Sequence, residues 1–286
     1  MSEVQRFDTP SGVVIVGDVD GDPAAPPVIL LHGGGQTRHS WARAMHELVA
    51  AGYRVVNLDT RGHGDSGWSP TADYSYPTMA DDLRAVIATL PRPPALVGAS
   101  LGGITALLTV GTTVVATGAP PIAAALVLVD IVPRVDLRGA ERIMQFMAAR
   151  PDGFASIEEA VDTVAAYNPH RPRPRDPSGL MKNLRWRDGR LHWHWDPRLV
   201  AQLGRPGPPR PSDTLHRAAD DVRIPTLLVR GLHSDIVTDA GVDELRAHLP
   251  QLEVLDVAEA GHMVAGDKND LFNQGVIAFL RRTLPA

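Results

Sequence analysis

The sequence predicts an α/β protein in which a mostly parallel central sheet is flanked by helices. Short apolar runs typical of buried strands alternate with segments of helical spacing as far as Asp130. The alternation stops there and resumes with the apolar run 225–229. This alternation indicates parallel strands joined by right-handed crossovers, and its interruption indicates an insertion between two of the strands.

The individual elements follow from hydrophobic spacing and from residues that begin or end a helix. Pro77 fits the first turn of one predicted helix, and Gly52 fits the end of another. The predicted strands are 13–16, 28–31, 54–58, 94–98, 125–129, 225–229 and 253–257, and the predicted helices outside the insertion are 40–51, 77–90, 101–110, 239–249 and 270–284.

The interruption predicts a mainly helical lid inserted after the sixth strand. We expect a core of residues 1–131 and 218–286 and a lid of residues 132–217. Within the lid, 191–195 alternates His and Trp as a strand does, which favours a hairpin over a metal site because no third ligand has suitable spacing. We expect three lid tryptophans to line an apolar substrate pocket: Trp186, Trp193 and Trp195.

Composition excludes several classes of protein and partner. A net charge of −5 over 286 residues gives no electrostatic reason to expect nucleic acid. Without cysteine there is no disulfide, thiol nucleophile or thiolate metal site. Residues 1–20 lack the pattern of a secretory signal, and Gly and Pro interrupt the apolar stretch 104–129. We therefore expect a cytoplasmic monomer or homodimer with no membrane partner, no metal and no cofactor.

A candidate nucleophile lies in the pentapeptide 98–102, Gly-Ala-Ser-Leu-Gly, between a predicted strand and a predicted helix. A serine on such a sharp turn is exposed to a base and to backbone N–H groups. Gly98 and Gly102 flank Ser100 where a Cβ would crowd the turn. The motif predicts nucleophilic catalysis by Ser100.

A second glycine-rich segment follows the strand 28–31. His32 is followed by three glycines, Gly33, Gly34 and Gly35, which allow the backbone to turn its amides toward a ligand. Such amides can form an oxyanion hole.

The candidate acid and base follow two later strands. Asp235 comes after the strand 225–229, and His262 comes after the strand 253–257. Both should lie at the carboxyl edge of the sheet, and the order Ser100, Asp235, His262 is that of a Ser-Asp-His hydrolase. His63 and Asp65 come too early for that order, so we expect hydrogen-bonding roles in structure for them.

Together these motifs resemble the α/β-hydrolases that carry a lid, a group that includes carboxylesterases, cofactor-free haloperoxidase-type enzymes and epoxide hydrolases. The resemblance implies that Ser100 attacks the carbonyl, His262 transfers its proton and Asp235 orients the imidazole. It also implies that the amides of Gly34 and Leu101 stabilise the oxyanion, and it leaves Asp130 as a reserve acid. Gly35 and Met263 complete the predicted substrate contacts.

Departures from particular members of the group narrow the expected reaction. Epoxide hydrolases and haloalkane dehalogenases of this fold use aspartate where this chain has Ser100. The predicted function is therefore hydrolysis of a small or medium carboxylic ester through an acyl-enzyme. Hydrolysis of a carbon–carbon bond, a thioester or a lactone by the same triad remains an alternative, as does a ligand-binding protein without turnover.

Overall fold

The computed structural model describes residues 2–113, 121–168, 173, 176–203, 211–262, 264 and 269–285. Its centre is an eight-stranded sheet in the order β1-β2-β4-β3-β5-β6-β9-β10. The strands are β1 (Glu3–Asp8), β2 (Val14–Asp20), β3 (Pro27–Leu31), β4 (Arg54–Asp59), β5 (Ala95–Ala99), β6 (Ala125–Val129), β9 (Thr226–Gly231) and β10 (Leu252–Val257). β1 and β2 pair antiparallel, and the run from β4 to β10 is parallel. The predicted α/β class with a mostly parallel sheet is confirmed.

Helices cover both faces of the sheet, as the fully buried central strands require. All five residues of β3 and of β6 are buried. One apolar cluster packs against helices that include α2 and α3, and the other packs against helices that include α1 and α9. The core helices are α1 (Ala42–Ala50), α2 (Tyr76–Ile87), α3 (Leu101–Gly111), α7 (Pro211–Asp221), α8 (Asp239–His248) and α9 (Asn269–Thr283).

A segment of the chain is inserted between β6 and β9, which are adjacent and parallel in the sheet. In chain order it contains α4 (Leu137–Ala148), α5 (Ile157–Tyr167), a 3₁₀ helix (Pro177–Asn183), the hairpin of β7 (Leu184–Arg187) and β8 (Arg190–Trp193), and α6 (Pro197–Leu203). We call the residues from α4 to α6 the inserted segment.

The predicted boundary between residues 217 and 218 falls inside α7. Leu215 and Ala218 of this helix belong to the main apolar cluster of the core, and α7 packs against α3. Helix α7 therefore continues the core, and the inserted segment ends before it.

A small apolar cluster joins the inserted segment to the core. Met147, Trp193 and Trp195 pack there with Leu101 and Tyr74 of the core. The predicted hairpin is present, although the strand ends at Trp193 and the next residues turn toward the core. No helix among the described residues has both the length and the apolar character that crossing a bilayer requires. The cytoplasmic location stays a prediction.

Candidate active site

Ser100 occupies a strained turn between β5 and α3. Its backbone has φ 47° and ψ −114°, a conformation that non-glycine residues rarely adopt. A Cβ on Gly98 would collide with the backbone of Gly102, and one on Gly102 would collide with the backbone of Leu31. The backbone N–H of Ser100 donates to the carbonyl of Val129 at 3.1 Å, which ties the turn to β6. The motif thus forms the strand-to-helix elbow that its glycines predict.

The imidazole of His262 is paired with a carboxylate that follows the strand beside Ser100. Its Nδ1 donates to Oδ2 of Asp130 at 2.8 Å. The same carboxylate accepts from the hydroxyl of Ser234 at 2.6 Å and from the backbone N–H of Gly231 at 3.0 Å. The Asp130 side chain has no solvent exposure, so its hydrogen-bond partners come from the protein. With the proton held on Nδ1, Nε2 is left as the acceptor that a general base needs.

Asp235, the acid predicted from chain order, lies away from this pair. Its Oδ2 is 3.2 Å from Nη1 of Arg142 on α4. This carboxylate therefore links the turn that follows β9 to the inserted segment. From the same turn, the hydroxyl of Ser234 rather than the carboxylate of Asp235 contacts the pair, by donating to Asp130. The expectation that Asp235 orients the imidazole is therefore wrong, and the reserve residue Asp130 is the one beside His262.

The backbone N–H groups of Leu101 and Gly34 are the candidates for the predicted oxyanion hole. Leu101 is the first residue of α3, and its N–H has no partner within that helix. Gly34 lines the same cavity as Ser100. Gly35, predicted to contact substrate, also lines the cavity, but its N–H donates to Nε2 of His63 at 3.1 Å. Gly34 and Leu101 therefore fit the predicted oxyanion hole, whereas the Gly35 amide is already engaged.

Three buried histidines surround the glycine loop, and each is held as a single neutral tautomer. His32 donates from Nδ1 to the carbonyl of Gly33 at 2.8 Å, and its Nε2 accepts from the N–H of Thr60 at 3.0 Å. His194 accepts at Nδ1 from the N–H of Gly64 at 2.7 Å. Burial lowers the pKa of His32, lowers the pKa of His63 further, and lowers the pKa of His194 to about 3.

These neutral imidazoles make the stability of the fold sensitive to acid. Below about pH 6.5 each imidazole takes up a proton more readily in the unfolded chain than in the folded one. The free energy of unfolding should therefore fall as the pH drops, by about 1.4 kcal/mol per pH unit for each imidazole that stays neutral. Urea unfolding between about pH 7 and pH 5 measures this dependence.

His194→Phe is the matched variant, because it removes one of the three groups while carboxylates and other histidines are unchanged. The slope of its free energy of unfolding against pH should be smaller than that of wild type by the equivalent of about one proton. Parallel curves for the two proteins would contradict the assignment of a neutral His194.

One cavity of about 300 Å³ connects these groups, and Ser100 and His262 both line it. On the core side it is bounded by the glycine loop and Trp41. The inserted segment supplies apolar and aromatic walls, namely Ile143, Phe146, Met147, Val164, Tyr167, Leu180, Trp193 and Trp195. Among the described residues that line it, none is Asp, Glu, Lys or Arg.

The structure places the remaining predicted substrate-contact residues differently. Trp193 and Trp195 line the cavity, with their rings stacked at 4.9 Å between centroids. Trp186 does not line it and is 63% exposed, because β7 leaves the packed region after Leu184. That expectation is wrong. Met263 lies outside the described residues.

The side chain of His194 reaches the glycine loop from the inserted segment, a role that the sequence did not predict. The alternation of His and Trp over 191–195 was the available signal, but it does not reveal which histidine becomes buried. His192 contacts Arg187 instead, at 2.9 Å from Nδ1. The described residues contain no cluster of three or more His, Cys, Asp or Glu side chains arranged to hold a metal ion.

Comparison with known proteins agrees with this architecture. Residues 26–268 match the alpha/beta hydrolase fold family, so the chain belongs to that family. The esterase Rv0045c of Mycobacterium tuberculosis is 31% identical over 252 residues, covering 86% of this chain and 79% of that protein. An sn-1-specific diacylglycerol lipase of Mus musculus is 32% identical over 277 residues, covering 92% and 83%.

Solved structures extend the likeness to the whole fold. The crystal structure of esterase Rv0045c aligns with a TM-score of 0.74 at 29% identity, covering 100% of this chain and 92% of that one. An E-2-(acetamidomethylene)succinate hydrolase aligns with a TM-score of 0.83 at 23% identity, covering 98% and 99%. The second is a likeness of fold alone. The predicted family, a hydrolase fold with esterase relatives, is confirmed.

Proposed function

We propose that this protein is a serine esterase that hydrolyses small or medium, uncharged carboxylic esters through an acyl-enzyme. The observation that carries the proposal is the elbow serine, Ser100, in one cavity with an imidazole, His262, whose Nδ1 is held by Asp130. The esterase and lipase names of the relatives support the reaction class. In these roles Ser100 is the nucleophile, His262 the general base and acid, and Asp130 the residue that orients it.

In the first half-reaction Oγ of Ser100 attacks the ester carbonyl carbon while its proton passes to Nε2 of His262. The carbonyl oxygen becomes an oxyanion that accepts from the N–H groups of Gly34 and Leu101. The helix dipole of α3 adds to this stabilisation because Leu101 begins the helix. When the intermediate collapses, the alkoxide leaves with the proton from His262, and the acyl group stays on Ser100.

Water completes the cycle as the second substrate. It attacks the acyl carbonyl while His262 takes its proton, and the new oxyanion occupies the same hole. Collapse of this intermediate returns the proton to Ser100 and releases the carboxylic acid. Every proton and electron pair is accounted for by the ester, one water molecule and these side chains.

The absence of charged side chains from the described cavity lining favours an uncharged substrate. Burying a carboxylate without a cationic partner is costly, whereas aromatic and aliphatic walls suit an acyl chain. Three arginines of the inserted segment are already engaged by other groups of the protein. Arg185 pairs with Asp65, Arg198 pairs with Asp196, and Arg190 donates to the carbonyls of Asp152 and Gly153.

A pair of chromogenic esters of similar length tests the substrate class. We expect p-nitrophenyl butyrate to be hydrolysed with a kcat/KM at least about 100-fold higher than p-nitrophenyl hemisuccinate, because only the second carries a carboxylate into the apolar cavity. Initial rates of p-nitrophenol release measure both. Equal values, or a preference for the hemisuccinate, would contradict an uncharged substrate.

Covalent labelling tests the nucleophile. A fluorophosphonate should add once to each chain, and peptide mass spectrometry should locate it on Ser100. Failure of the folded protein to react would contradict the proposal and favour a ligand-binding role. A panel that adds thioesters, lactones and cleavable diketones to the esters compares the other reactions open to the same triad.

A further inference from the structure

We propose that His194 of the inserted segment is a positioning residue for the oxyanion hole. This inference rests on the proposed function, because it concerns how the N–H of Gly34 is aimed. Two contacts carry it. Nε2 of His194 donates to the carbonyl of Gly35 at 3.4 Å, and Nδ1 accepts from the N–H of Gly64 at 2.7 Å.

The glycine loop needs external support because glycine restricts the backbone less than any other residue. Gly35 has φ 73°, a conformation that glycine enters and leaves at little cost. A loop of this kind provides a precise N–H donor only if neighbouring groups fix its peptide planes. The structure supplies one imidazole for each of three consecutive planes.

The first plane contains the carbonyl of Gly33 and the N–H of Gly34. His32 holds that carbonyl at 2.8 Å, and in a planar trans peptide the N–H points the opposite way. The second plane contains the N–H of Gly35, which donates to His63 at 3.1 Å. The side-chain contacts of these two planes therefore come from the core.

The third plane contains the carbonyl of Gly35 and the N–H of Gln36. The N–H closes a turn onto the carbonyl of Gly33 at 3.1 Å, and the carbonyl accepts from His194. Among the described residues, His194 is the only side chain that donates to this carbonyl, so removing His194 leaves the carbonyl free to move. Because the turn joins this plane to Gly33, its displacement is transmitted to the N–H of Gly34.

His194 is itself fixed in place. Its side chain is 2% exposed, and its backbone N–H donates to the carbonyl of Asn183 at 3.1 Å. Two residues later the N–H of Asp196 donates to the carbonyl of Gly62 at 2.9 Å. The ring of Trp195 lies 3.3 Å from where a Cβ on Gly35 would be, so the inserted segment also covers the loop sterically.

Three substitutions separate the two contacts of the imidazole. His194→Gln keeps an amide N–H donor near the position of Nε2, and His194→Asn keeps an acceptor near the position of Nδ1. His194→Phe keeps the ring and removes both. His192→Gln is the matched control, because His192 lies on the same hairpin and contacts Arg187 rather than the loop.

We expect kcat for p-nitrophenyl butyrate to fall about 10- to 100-fold in the Phe and Asn variants, with KM within about threefold of wild type. The Gln variant should recover most of kcat, and the His192 control should match wild type. A boronic acid inhibitor forms a tetrahedral anion on serine and uses the oxyanion hole. Its inhibition constant should rise by the same factor as kcat/KM falls, as for a transition-state analogue.

A stability role alone would lower the melting temperature and leave kcat per fluorophosphonate-labelled site unchanged. Wild-type kcat in the Phe variant, or equal kcat in the Gln and Asn variants, would overturn the inference. Those results leave the esterase proposal intact, since wild type and the variants would still be labelled at Ser100. Absence of labelling and turnover in wild type would instead overturn the proposed function.

Discussion

Asp130→Asn is expected to lower kcat about 10⁴-fold, while Asp235→Asn leaves kcat within about twofold of wild type. Asparagine has one acceptor oxygen and one NH₂ donor in place of two acceptor oxygens. If the NH₂ group faces Nδ1 of His262, the imidazole proton moves to Nε2, which is the wrong tautomer for a general base. Asp235 contacts Arg142 at the surface of the inserted segment, where a partly exposed ion pair adds little. Steady-state hydrolysis of p-nitrophenyl butyrate by the two purified variants gives the comparison.

The two substitutions remove the same charge from the two acids that the sequence offers, so each is the control for the other. Circular dichroism and the urea midpoint establish that both variants are folded. A large loss in Asp235→Asn together with a small loss in Asp130→Asn would restore the order predicted from the sequence. It would also contradict the pairing of Asp130 with His262.

Ser100→Ala is expected to reduce kcat by about 10⁴- to 10⁶-fold, because no acyl-enzyme can form without the hydroxyl. The oxyanion hole stays in place, so a small rate above that of the uncatalysed reaction should remain. Because the expected residual rate is low, p-nitrophenyl butyrate is followed at high protein concentration. Burst kinetics with wild type report the acyl-enzyme directly.

Ser40→Ala is the matched control for this loss. Ser40 places another hydroxyl at the cavity, where it donates to the carbonyl of Thr37 at 2.8 Å. Its removal should change kcat by at most about tenfold, a small effect beside that at Ser100. Equal turnover by wild type and Ser100→Ala would contradict nucleophilic catalysis at this residue.

The fold was predictable because each buried element carries a strong local pattern. The run 125–129 became β6 with the same bounds, and the predicted helix 101–110 became α3, which is one residue longer. Pro77 indicated the start of α2, and Gly52 indicated the end of α1. The strand β1 was not assigned, because only Phe7 of its six residues is buried and the remainder reads as polar.

Motifs in the sequence predicted that Ser100 and His262 would lie in the candidate site, whereas they did not single out Asp130 as the partner of the imidazole. Asp130 and Asp235 both follow apolar strands, and a sequence does not show which carboxylate reaches an imidazole. The choice depends on tertiary contacts, since Gly231 and Ser234 hold Asp130 and Arg142 holds Asp235. The role of His194 was not predictable for the same reason, because its hydrogen-bond partners, Gly35 and Gly64, are distant in the sequence.

The position of β10 at one edge of the sheet has a consequence for how the protein loses activity. Ser100 and Asp130 follow β5 and β6, neighbouring interior strands whose final residues, Ala99 and Val129, are in register. His262 follows the edge strand β10, and edge elements open at lower free energy than the centre of a sheet. Local opening at this edge would remove His262 from the site while Ser100 and Asp130 stay in place. Under the proposed mechanism, activity would then be lost before the protein unfolds globally.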